Sequence, residues 1–314
     1  MILHDAIRIG ISGWRYKPWR GVFYPPRLPQ RRELEFAATH FNSVEINGTF
    51  YSMQRPESFR RWHAETPEGF LFAIKGARFI THMKKLRGVE QGLANFFAQG
   101  VLALGKKLGP VLWQLPPQLA FDADRLAGFF DLLPRTHADA AVLAHDHAPR
   151  FQGRSVVEAE AKGTIRHCVE VRHGSFVTPE FARLLRKHRI GLVVADTVEW
   201  PLLFDVTADF IYCRLHGSEQ LYVSGYESDA IDRWGERIVA WSRGQEVADE
   251  AEGCTPRGIH CAPKHIARPA RARDVYCYFD NDAKVRAPFD AIALRDRVRE
   301  LQGATPRGDD RPAR

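Results

Sequence analysis

Residues 210–217 read FIYCRLHG, and the alternation within this octet decides the fold. Successive side chains of a strand point to opposite faces, so Ile211, Cys213 and Leu215 share one side while Tyr212, Arg214 and His216 share the other. An isolated buried charge is costly to desolvate. Arg214 and His216 must therefore meet polar partners from other strands or line a solvated ligand site.

The same alternation recurs along the chain. Val44 and Ile46 oppose Glu45, Asn47 and Thr49; Val169 and Val171 oppose Glu170 and Arg172; Val275, Cys277 and Phe279 oppose Tyr276, Tyr278 and Asp280. Eight strand-like runs can be placed: Ile7–Trp14, Ser43–Tyr51, Phe70–Ala77, Val111–Pro116, His167–His173, Ile190–Thr197, Phe210–Gly217 and Asp274–Asp280. Lys75 stands near the end of the third run, Gln114 in the fourth, and Asp196 near the end of the sixth. Helical periodicity fills Arg31–His40, Pro56–Glu65, Gly88–Leu108, Ala123–Leu133, Pro179–His188, Asp229–Ser242 and Pro288–Gln302, whereas Trp200–Asp209 is too short for a long helix. Strands alternating with helices predict an α/β fold of repeated βα units. The expectation is a single-domain (β/α)₈ TIM-type barrel over residues 1–302, with an Ala/Arg/Pro/Gly-rich mobile insert at 244–273 and a disordered tail at 303–314. A doubly wound sheet would advertise a glycine-rich phosphate turn after its first strand, and none is present.

Composition narrows the class. With 314 residues, 45% of them hydrophobic, the chain can bury one large core. A net charge of +7, spread rather than blocked, favours an anionic partner. No run of about 18 apolar residues and no apolar signal core at the N-terminus can be read, so a soluble cytoplasmic protein with no membrane partner is expected. Five cysteines cannot all pair internally, and Cys168, Cys213 and Cys277 fall in apolar runs, which makes them buried free thiols.

The segments GISGWRYKPWRGVFYPP (10–26), FNSVEINGTFY (41–51), FLFAIKG (70–76), LWQLPP (112–117), CVEVRHGSF (168–176), VVADT (193–197), YCRLHGSEQLYVSGY (212–226) and YCYFDNDAKVRAPFDA (276–291) carry a resemblance. Together they resemble the family called domain of unknown function 72, or YecE-like proteins, across residues 7–302 apart from the insert. The resemblance implies a TIM-type barrel and no assigned activity.

In barrels of this class, catalytic residues come from the C-terminal ends of strands. Glu45, Glu170, Asp280 and Lys75 are the acid/base candidates, since burial and neighbouring charge push pKa values apart. Lys75, Arg172, Arg214 and His216 would clamp negative charge, Arg through its planar fork. Asn47, Gln114 and Asn281 are added as polar contacts, and Trp14, Tyr51 and Tyr222 as apolar walls. The loop from His216, Gly217 and Ser218 to Tyr226 lies where barrels often cradle phosphate, although it also fits an ordinary turn. Between Trp14 and Pro26, aromatics interleave with Arg15, Lys17 and Arg20, which suits either base stacking or a lid packed on the rim.

No cofactor is expected; a divalent metal held by Glu45, Glu170, Asp196, His216 and Asp280 is the alternative, weakened by the cations interleaved with them. Cys254, His260, Cys261 and His265 lack a compact zinc spacing, and His145, Asp146 and His147 precede the fifth strand, away from the mouth. No nucleophile elbow, P-loop or HExxH string appears. The expectation is an enzyme, hydrolase or isomerase, using acid/base chemistry on a phosphate ester, sugar phosphate or nucleic-acid fragment. A non-catalytic nucleic-acid binder and a metal-dependent isomerase or phosphodiesterase are the alternatives.

Overall fold

The computed structural model describes residues 6–217, 221–245, 258–259, 272–282 and 284–303. Eight parallel strands close into a barrel: β1 Ile7–Ser12, β2 Ser43–Ile46, β3 Leu71–Lys75, β4 Leu108–Gln114, β5 His167–Glu170, β6 Gly191–Asp196, β7 Phe210–Leu215 and β8 Asp274–Phe279. Neighbours in sequence are neighbours in space, and β8 pairs with β1 to complete the ring, Ile9 opposite Cys277. Around it lie α1 Glu33–His40, α2 Pro56–Ala64, α3 Glu90–Ala98, α4 Ala123–Asp131, α5 His137–His145, α6 Pro179–His188, α7 Ser228–Ser242 and α8 Ala287–Gly303. No helix among the described residues is long and apolar enough to cross a membrane.

The period-two alternation sorts side chains into two cores. Ile9, Ile11, Val44, Ile74, Trp113, Val169, Val194, Ile211 and Phe279 belong to the larger cluster that also takes in helix residues such as Leu93, Leu185 and Leu294. A separate small cluster of Ala73, Leu112, Cys168, Val193, Ala195, Tyr212, Tyr276 and Tyr278 fills the barrel lumen. Cys168, Cys213 and Cys277 are buried free thiols. Tight filling of the lumen requires close backbone approach at Gly10, where an added Cβ would stand 1.9 Å from the Ser43 carbonyl oxygen. Gly10→Ala is expected to lower stability by about 1–3 kcal/mol through overpacking, read as a shift of the urea midpoint at unchanged slope. An unshifted midpoint would show that β1 and β2 can separate without cost.

Several local expectations need correction. The run starting at Ser43 stops being a strand at Ile46, and Gly48–Tyr51 form a helical turn. Thr49 Oγ1 donates to the carbonyls of Ile46 and, at 2.7 Å, Lys75, tying that turn to the end of β3. The long helix expected over Gly88–Leu108 ends at Ala98, because Gly100 adopts φ 126°, and resumes as a 3₁₀ stretch over Val101–Lys107. Helix α5 was not expected at all. Its start carries a capping box, Thr136 Oγ1 accepting from the Asp139 amide and the Asp139 carboxylate accepting from Thr136 N. Between β6 and β7 there is no helix, only a short strand, Leu202–Leu203, paired with Gly258–Ile259.

The insert, except for residues 244–245, 258–259 and 272–273, and the tail beyond Gly303 lie outside the described residues. Cys254, His260, Cys261, His265 and Ser218 lie there too.

Candidate active site at the barrel mouth

Just inside the C-terminal end of the barrel, strand phase brings Ser12, Glu45, Glu170, Arg214 and Asp280 into one layer. Arg214, fully buried, is its centre. Its Nη1 donates to Glu170 Oε2 at 2.6 Å and its Nη2 to Asp280 Oδ2 at 2.6 Å, while Nε and Nη2 reach the two oxygens of Glu45 at 3.1 and 3.0 Å. Glu45 also accepts from the Ser12 hydroxyl and, at 2.6 Å, from Tyr212. Glu170 Oε1 accepts from Gln114 Nε2 at 2.9 Å and Arg172 Nε at 2.8 Å. Three carboxylates thus converge on one guanidinium whose five N–H donors can serve them in a fixed plane.

The electrostatics follow from that arrangement. Burial alone would raise the pKa of Glu170, but the charges of Arg214 and Arg172 outweigh it and hold this carboxyl well below its usual range. Asp280 is likewise pushed far down, burial being overcome by Arg214, His216 and Lys75. His216 Nδ1 lies 3.3 Å from Asp280 Oδ2, and Nε2 lies 3.4 Å from Arg214 Nη1.

Above this layer opens a cavity of about 490 Å³, lined by Tyr16, Asn47, Phe50, Tyr51, Lys75, Arg78, His82, Gln114, Arg172, Tyr222, Asp280 and Asp282. Lys75, at the end of β3, is buried with its Nζ 4.5 Å from the centre of the Phe50 ring. Among the described residues it has no hydrogen-bond acceptor and no carboxylate within ion-pair distance. Burial, aided by the charge of Arg214 and opposed by the acids across the mouth, brings its pKa down to about 8. Asp282 moves the other way, to about 6, through burial and the nearby charge of Asp280, with its own backbone and the Tyr16 hydroxyl opposing. Burial and the charges of Arg172, Lys75 and Arg78 lower His82 to about 4.

Arg172 is held rigidly, its guanidinium 3.7 Å from the centre of the Trp200 ring and Nη2 3.3 Å from the Tyr222 hydroxyl. Arg78 is exposed and, among the described residues, unpaired. A second, smaller cleft of about 270 Å³ adjoins the first, sharing Tyr16, Asn47 and Tyr51 and walled by Trp14 and Trp62, whose rings meet edge to face at 5.4 Å.

The sequence-derived candidates divide accordingly. Glu45, Lys75, Gln114, Glu170, Arg172, Arg214, His216, Tyr222 and Asp280 gather at the mouth, with Asn47 and Tyr51 on its rim and Trp14 in the adjoining cleft. Glu45, Glu170, Arg214 and His216 form the layer beneath the cavity and do not line it, and three further candidates lie away from the mouth. Asp196 sits on the outer phase of β6, where its carboxylate accepts from Trp234 Nε1 at 3.1 Å. Asn281 donates to Asp290 and the Ser224 carbonyl, bracing the loop behind the mouth, and the Gly217 amide donates to the Tyr226 hydroxyl. Trp19, Phe23 and Tyr24 of the first loop are buried and pack toward Phe36 and Phe41, so this loop packs on the rim instead of presenting these rings for stacking.

Tyr16, Phe50, Arg78, His82 and Asp282 were missed, because they lie beyond the strand ends, in loops and in the short helical turns Gly48–Tyr51 and Phe79–Met83, where strand phase orders nothing. Among the described residues no three His, Cys, Asp or Glu side chains are arranged to hold a metal ion. Of the carboxylates proposed as ligands, Glu45, Glu170 and Asp280 are turned onto Arg214 and Asp196 onto Trp234.

A family model described as "Protein of unknown function DUF72" matches residues 8–254. UPF0759 protein YecE of Escherichia coli (strain K12) is 30% identical over 129 residues, 41% of this chain and 44% of that protein. UPF0759 protein YunF of Bacillus subtilis (strain 168) is 29% identical over 116 residues, 35% of this chain and 40% of that protein. The matched stretches therefore span less than half of either relative. A DUF72 family protein of known crystal structure, TM1631 from Thermotoga maritima MSB8, superposes with a TM-score of 0.67 at 22% identity, covering 93% of this chain and 99% of that one. A second, EF0366 from Enterococcus faecalis V583, gives 0.62 at 16% identity over 93% and 95%.

Proposed function

The chain belongs to the family described as protein of unknown function DUF72, and we propose that its barrel mouth is the active site of an enzyme using acid/base chemistry on a small anionic substrate. The observation that carries this reading is Lys75. Its side chain is mostly buried, its Nζ has no acceptor among the described residues, and it opens into a cavity of ligand size, where an anion would compensate its charge. With Arg78 it provides two positive charges that have no ion-pair partner among the described residues, suited to a phosphate or carboxylate.

Glu170 and Asp280 are held ionised well below neutral pH, which makes them weak bases and leaves no proton to donate. Their part is to fix Arg214 and the field around it. Proton transfer falls to Lys75 and Asp282, whose pKa values near 8 and 6 bracket neutrality. The adjoining cleft between Trp14 and Trp62 suits the apolar part of the substrate.

Inorganic phosphate tests the anion site without a known substrate. Saturating phosphate is expected to raise the midpoint of thermal unfolding, because a ligand that binds only the folded state stabilises it. Arg78→Gln should weaken phosphate binding about tenfold by calorimetry with little change in basal stability, since its exposed side chain has no partner among the described residues. Equal phosphate affinity in both proteins would sink the assignment. For turnover found in a screen of phosphate esters and sugar phosphates, Asp282→Asn is expected to lower kcat about 100-fold.

A further inference from the structure

We propose that Lys75 is an amine nucleophile that forms an imine with an aldehyde or ketone carrying an anionic group, so that the substrate is a small oxo-acid or phosphorylated carbonyl compound. The inference rests on the proposed active site and names its substrate class. Three features of the mouth separate Lys75 from a lysine that merely attracts anions.

First, no carboxylate among the described residues stands within ion-pair distance of Nζ, whereas Arg214 in the same mouth is held by three. A carboxylate in contact would fix the ammonium form and withhold the lone pair. Second, the side chain passes over the face of Phe50, and its backbone carbonyl is held by Thr49 Oγ1, so the amine is aimed by packing instead of by an ionic partner. An apolar flank beside another cationic group is the setting that keeps a lysine amine free. Third, Lys75 shares its cavity with Arg78, placed for the anionic group of the substrate, and with Asp282, which can exchange protons near neutrality.

The chemistry balances without redox. The Nζ lone pair forms the C–N bond as the carbonyl π pair moves to oxygen, which takes up a proton to give a carbinolamine. Nitrogen then loses a proton, the hydroxyl is protonated and departs as water, and the imine remains. Asp282 is the group on the wall able to shuttle those protons. An imine at this position draws electrons from the adjacent carbon, which opens proton abstraction or carbon–carbon cleavage next to the former carbonyl.

Glyoxylate, the smallest anionic aldehyde, is the probe. The full-length protein is incubated with it and cyanoborohydride, which reduces any imine to a stable carboxymethyl-lysine, and modified lysines are counted by peptide mass mapping over time. Lys75 is expected to be modified at least about tenfold faster than the average lysine of the chain, and saturating inorganic phosphate should slow that modification about tenfold while leaving exposed lysines unaffected. Modification of Lys75 no faster than the average overturns the imine, as does fast modification that phosphate does not slow. The phosphate titration of wild type and Arg78→Gln separates the two levels. If phosphate binds through Arg78 and Lys75 stays unmodified, the anion site stands and the imine fails; if phosphate does not bind either, both readings fail.

Discussion

Arg214→Met should leave a protein that does not hold its native fold at neutral pH and regains stability as the solution is acidified. The substitution nearly preserves volume but removes the one cation among the described residues bonded to Glu45, which also binds Glu170 and Asp280. Breaking one buried pair costs about 3–5 kcal/mol by leaving an uncompensated charge, and here Glu45 and Asp280 lose their bonded guanidinium together while Glu170 keeps only Arg172. Such a loss approaches the whole stability of a typical domain, about 5–15 kcal/mol.

The pH dependence gives the sign. In the wild type Glu170 and Asp280 have pKa values below those of the unfolded chain. Their contribution is therefore complete above the ordinary carboxylate range and is lost as pH falls through and below it. Without Arg214 the largest charge opposing burial at Glu170 and Asp280 is gone, so both bind protons more readily than in the wild-type fold and the variant recovers stability as pH falls from 7 toward 5. Circular dichroism of the variant from pH 7 to pH 5 should show structure returning, while these two groups leave the wild type's stability unchanged over that interval. No return of structure would mean that the guanidinium does not set the charge state of its neighbours.

Lys75→Met is expected to do the reverse: to stabilise the fold while removing function. A folded-state pKa near 8, against an ordinary value near 10.5, means that the ammonium is disfavoured, mainly by burial, on the order of 3 kcal/mol. Met fills similar space against Phe50 without that cost, and a net gain of about 1–2 kcal/mol is expected at pH 7. Because the folded state gives up this proton first, wild-type stability should rise between about pH 8 and 10.5, and the advantage of the variant should shrink over the same interval. Any turnover should drop by about 1000-fold or more. A variant that is less stable and equally active would place Lys75 among structural residues.

Strand phase was the legible part of the site. Tyr212, Arg214 and His216 on β7, and Tyr276, Tyr278 and Asp280 on β8, fall on the lumen side because a period of two leaves no freedom once one face is apolar. The eight strands and their order followed from the same rule. Pairing was not legible. Acids and bases can be counted from the chain, but geometry alone turns three carboxylates toward Arg214 and leaves Lys75 with none among the described residues. Asp282 lies only two positions beyond Asp280 yet belongs to a loop, where direction is set by packing against Tyr16 and Trp19. Helix α5 escaped because its buried residues are His137, Ala140 and Ala144, which make a weak apolar stripe, although its capping box was there to be read.

The layer around Arg214 also bears on the order in which the barrel assembles. Its members arrive from β1, β2, β5, β7 and the end of β8, far apart in the chain. During synthesis Glu45 and Glu170 emerge well before residue 214, so a barrel closing early would trap carboxylates without their counter-charge. Long-range closure is slow in any case, and this layer makes premature closure unfavourable as well. The chain is thereby biased toward one late, cooperative ring closure, and fragments ending before β7 should remain open.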